Sequence, residues 1–134
     1  MKNLLKKIQE QVNSLDVDEL NEIICLLEAK PYMEYKNEIM EILFSILENN
    51  PDEDFGIPGE IVHFLEKFYK NGYEEKLVDS LNRKPTSHTV WMLNRIINDT
   101  ENESYKSYHQ FMVNLLNRND IESDLKDEIR DFLN

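Results

Sequence analysis

The segment YMEYKNEIMEILFSILENNP, residues 32–51, decides the fold of this chain. Its apolar residues recur at steps of three and four, which places them on one face of a helix. These residues are Ile39, Ile42, Leu43, Ile46 and Leu47. The pair Asn49-Asn50 and the following Pro51 end the pattern, because proline lacks a backbone donor and restricts the residue before it. The segment therefore predicts an amphipathic helix over about residues 32–49.

The same helical pattern recurs on both sides of this segment, and few breakers interrupt it. The chain has 134 residues, with only three glycines and four prolines, which favours helices over a many-turned β fold. Asp16 or Asp18 is predicted to begin the second helix, and Asp120 the last, as N-cap residues. The eight predicted helices cover about residues 2–15, 16–30, 32–49, 58–71, 73–82, 86–98, 103–117 and 121–133.

Short connections between these helices make sequential neighbours antiparallel. The sequence therefore predicts a single all-α domain over residues 1–134, with about eight short helices. Two arrangements remain open, a compact bundle and a HEAT-like stack of helix pairs. A repeat of about 34 or 40 residues would decide for the stack, and the sequence shows no firm one.

The charge of the chain is strongly negative, at −12 with a pI near 4.6. A phosphate backbone or an anionic membrane would be repelled by such a surface, so direct binding to either is not expected. A basic protein is the natural partner, because complementary fields speed encounter and reject wrong partners. The alternative is that the acidity only keeps the protein in solution.

The single cysteine and the start of the chain both bear on location. Cys25 lies in the apolar run 23–27 and is predicted to be a buried small side chain. One cysteine allows no intrachain disulfide, which suits a reducing compartment. Lys6 and Lys7 interrupt the first residues before a secretion signal can form, and no apolar run approaches a membrane span. These features predict a cytoplasmic protein.

One short motif, Glu60-x-x-His63-x-x-Glu66, contains residue types and a spacing that occur in metal sites. Di-iron bundles use a glutamate and a histidine at this spacing, but they need two such motifs, and the chain has no second one. Phosphate-binding loops and hydrolytic triads are also missing from the sequence. We therefore predict no metal, no cofactor, no catalytic residues and no enzymatic activity.

Eight residues between the fourth and sixth helices are predicted to form a structural polar network. Arginine forms forked bonds to carboxylates, so pairing of Arg83 or Arg95 with Glu60 or Glu66 is expected. The alternative is that part of the network faces a partner. The predicted members are Glu60, His63, Glu66, Arg83, Trp91, Asn94, Arg95 and Asn98.

A resemblance is carried by three motifs in this region. They are GIPGEIVHFLE at residues 56–66, RKPT at residues 83–86 and WMLNR at residues 91–95. Together they resemble a group of small bacterial all-α immunity proteins that accompany polymorphic toxins, including those of contact-dependent growth inhibition. The resemblance implies a cytoplasmic antidote without a cofactor. It would bind a cognate toxin domain, often a nuclease with a basic cleft, and block its active site or its docking.

Within this hypothesis, exposed acids at helix ends are the candidate partner contacts. The motifs above do not assign them. The first set is Asp52, Glu53, Asp54, Asp99, Glu101 and Glu103, and a weaker set is Glu74, Glu75 and Asp79. A helical adaptor that binds a protein without neutralising a toxin is the alternative function. The oligomeric state is left open.

Overall fold

The structure is a computed structural model, and it describes residues 1–56, 59–99 and 104–134. This part of the chain contains eight α-helices, a short 3₁₀ helix at Met33–Tyr35 and no strand, which confirms the all-α prediction. The helices are α1 (Lys2–Glu10), α2 (Val17–Glu28), α3 (Lys36–Asn49), α4 (Gly59–Glu66), α5 (Tyr73–Arg83), α6 (Ser87–Ile97), α7 (Tyr105–Leu115) and α8 (Ser123–Leu133).

The first helix is shorter than predicted, because a polar turn replaces its last residues. Gln11 is buried, and its side-chain oxygen accepts a hydrogen bond from the backbone N–H of Asp16 at 2.7 Å. Asp16 in turn accepts from the N–H of Glu19 at 3.1 Å, so it is the N-cap of α2. Of the two predicted caps, the structure therefore uses Asp16 and leaves Asp18 in the first turn.

The contacts of the chain group into two compact units, Met1–Ser80 and Leu81–Asn134. In the first unit, α1 contacts α2 and α3, and α4 contacts the same two helices. These contacts form a closed ring of four helices, which fits a compact bundle as well as two stacked helix pairs. Both predicted arrangements are therefore compatible with the first unit.

The part of α5 that belongs to the first unit lies alongside α3. Tyr73 is fully buried and its ring stacks on Phe44, with the centroids 6.2 Å apart. Three polar contacts follow along the two segments, namely Lys36–Asn71 at 2.6 Å, Glu41–Lys76 at 2.5 Å and Glu48–Ser80 at 2.8 Å. From one contact to the next, the residue numbers increase in both segments, so α3 and α5 run in the same direction.

The second unit contains α6, α7 and α8, and each of these helices contacts the other two. A reciprocal capping box begins α6. The N–H of Thr89 donates to Oγ1 of Thr86 at 3.2 Å, and the N–H of Thr86 donates to Oγ1 of Thr89 at 3.1 Å. Both threonines are buried, so these bonds satisfy backbone donors that water does not reach.

Asp120 does not cap α8 as predicted, because Arg118 binds it in the turn before that helix. The N-cap position of α8 is Glu122, whose side chain makes no cap bond. Nε of Arg118 donates to Oδ1 of Asp120 at 2.8 Å, while Nη1 donates to the carbonyl of Leu81 at 2.7 Å. The guanidinium therefore ties the α7–α8 turn to the last turn of α5, where exposed carbonyls favour a positive charge.

The pKa of the Asp120 carboxyl is lowered, chiefly because its oxygens accept hydrogen bonds from Arg118. Because the pKa of Asp120 is lower in the folded protein than in the unfolded chain, where it is about 3.9, the contact with Arg118 stabilises the fold above that pH. This stabilisation is lost as the pH falls through the pKa that Asp120 has in the folded protein. We expect Asp120→Asn to be less stable than wild type at neutral pH, with the difference shrinking below about pH 4. Urea unfolding at several pH values checks this. Asp131→Asn, at another exposed position, should leave the pH profile unchanged, and identical profiles for both variants would contradict the assignment.

The loop before α4 depends on two glycines with positive φ, Gly56 at 98° and Gly59 at 78°. Among the described residues, a Cβ on Gly56 would lie 2.9 Å from Cα of Gly59, whereas one on Gly59 would have Cβ of Phe55 as its near neighbour, at 3.9 Å. We expect Gly59→Ala to cost about 1–2 kcal/mol of unfolding free energy from its φ alone. Gly56→Ala should cost more, because the backbone must also move. Denaturant titration measures both, and a milder effect at Gly56 would count against this loop geometry.

Candidate functional site

The acidic loop Asp52–Asp54 joins α3 to α4, and its three carboxylate side chains are exposed. Local contacts hold it in place. The N–H of Gly56 donates to Oδ1 of Asp54 at 2.9 Å, and the N–H of Glu53 donates to the carbonyl of Asn50 at 3.2 Å. Phe55, only 7% exposed, anchors the loop in the core. The carboxylates are therefore presented from a loop with a defined conformation.

Two further exposed acids, Glu75 and Asp79, stand one helical turn apart on α5. Lys76, next to Glu75, binds Glu41 near the middle of α3, whereas the loop follows the end of α3. Glu75 therefore lies away from the loop, and its role as a partner contact, like that of Asp79, stays a prediction. We call the surface of the loop the acidic end, which consists of the three carboxylates of residues 52–54.

Glu74 is placed differently from its neighbour Glu75. It is 6% exposed, and its two carboxylate oxygens accept hydrogen bonds from the N–H of Lys70 at 3.0 and 3.1 Å. Lys70 has a φ of 61°, the left-handed region that few side chains adopt. Glu74 therefore stabilises the α4–α5 turn from inside, and we leave it out of the contact surface.

The candidate contacts of the second unit are only partly described. Asp99 is half-buried just after α6, and its N–H donates to the carbonyl of Ile96 at 3.1 Å. Glu101 and Glu103 lie outside the described residues. This turn therefore stays a prediction.

The predicted polar network divides between surface and core edge. Glu60, His63, Arg83, Arg95 and Asn98 are exposed, whereas Glu66, Trp91 and Asn94 are half-buried. His63 was expected at a hydrogen-bonded core edge, but it faces solvent on α4. The guanidinium of Arg95 lies over the ring of Trp91, 5.1 Å from its centroid, which is a cation–π contact within α6. Pairing of Arg83 or Arg95 with Glu60 or Glu66 stays a prediction.

The prediction that Cys25 is buried is wrong, because its side chain is exposed. The core face of α2 is formed by Leu20, Ile23, Ile24 and Leu27. A helix turns by about 100° per residue, so the five apolar residues 23–27 cannot all share one face. Cys25 and Leu26 consequently lie on the exposed side of α2, near Glu60 of α4. The length of the apolar run was the signal that could have revealed this exposure.

Across residues 1–56, 59–99 and 104–134, no three histidine, cysteine or carboxylate side chains group closely enough to hold a metal ion. In the same ranges, no helix has both the length and the apolar character needed to cross a bilayer.

Comparison with known proteins gives no relative for this chain. No protein-family model, no curated protein and no solved structure matches it significantly.

The different roles of Glu74 and Glu75 give a test within one helical turn. Glu74→Ala would leave the N–H of Lys70 without its acceptor, and we expect a loss of about 1–3 kcal/mol in unfolding free energy. Glu75→Ala, the matched control in the same first turn of α5, should change it by less than about 0.5 kcal/mol. Thermal and urea unfolding measure both, and equal effects would contradict a structural role for Glu74.

Proposed function

We propose that this protein is an immunity protein that binds a cognate bacterial toxin domain and neutralises it. The observation that carries the proposal is the acidic end, where three consecutive exposed carboxylates are held on a loop of defined conformation. The motifs within residues 56–98, which resemble those of small immunity proteins, support the same function. The toxin is proposed to be a nuclease that acts in the cytoplasm, where the antidote would also reside.

The mechanism follows from the charge of the acidic end. A nuclease cleft is basic because it binds a phosphate backbone, and a fixed row of carboxylates presents a similar pattern of negative charge. Since the loop is held by Phe55 and the Asp54–Gly56 contact, little conformational freedom is lost on binding. Complex formation would cover the active site or the surface that docks on the target. The proposed protein catalyses nothing and needs no cofactor.

A second candidate function is a helical adaptor, which the all-α architecture also allows. In a HEAT-like arrangement, the helix pairs would present an extended surface that binds peptides or folded proteins. An adaptor would bind its partner without inhibiting an enzyme. The growth experiment below separates these two functions.

The first test expresses the C-terminal domain of the adjacent large open reading frame, with and without this protein. Survival only in the presence of the protein, together with co-purification of the two chains, is the expected result. Killing that the protein does not relieve would overturn the proposal. A harmless neighbour that still co-purifies would favour the adaptor.

The second test asks whether the acidic end carries the binding. The triple variant Asp52→Asn, Glu53→Gln, Asp54→Asn should slow association at low salt by about tenfold or more, because electrostatic steering raises on-rates by 10 to 10³. The control triple Glu10→Gln, Glu34→Gln, Asp131→Asn changes the net charge equally at scattered exposed positions. Stopped-flow or surface-based kinetics at two salt concentrations give the rates. If both triple variants slowed association equally, the effect would come from net charge and not from the acidic end.

A further inference from the structure

We draw no further inference here: the strongest candidate, the surface patch on α6 where the guanidinium of Arg95 lies over the half-buried ring of Trp91, supports no proposal because nothing in the described part of the structure shows what covers it.

Discussion

The burial of α3 is the constraint on which the first unit depends. Six of its residues are buried, and at about 100° per residue they span one arc of roughly 160°. They are Ile39, Met40, Leu43, Phe44, Ile46 and Leu47. A helix that is apolar over so wide an arc must be covered by more than one neighbour. α1 and α4 both contact it, and the ring of Tyr73 at the start of α5 stacks on Phe44. These three neighbours are therefore placed around one central helix.

Polar contacts then fix how α5 lies on α3. The row of bonds from Lys36 to Ser80 sets the register of two helices that run in the same direction. Such bonds contribute modestly to stability, but they choose one alignment among several that apolar packing allows.

The sequence predicted the helices well, because their signal is local. The apolar period, the prolines and the Asn71-Gly72 stop depend only on neighbours in the chain. It failed where a tertiary partner decides the outcome. The side chain of Gln11 binds the N–H of Asp16, and α1 ends there. Arg118 binds both Asp120 and the end of α5, so Asp120 does not cap α8. The acidic contacts were predictable as charges, but the burial of Glu74 depends on the turn that places the N–H of Lys70 beside it. The exposure of Cys25 follows from helix geometry, because five consecutive apolar residues, 23–27, cannot all face the core.

Trp91 is the single tryptophan of the chain and belongs to the second unit. Its indole emission therefore reports the local environment of α6 alone, whereas the far-ultraviolet circular dichroism signal sums over helices of both units. Intrinsic fluorescence and circular dichroism together therefore distinguish unfolding of the second unit from unfolding of the whole chain, without an added label. If the two signals change at the same temperature, the 134-residue chain unfolds as one cooperative unit. If the indole signal changes first, the unit Leu81–Asn134 is the less stable one.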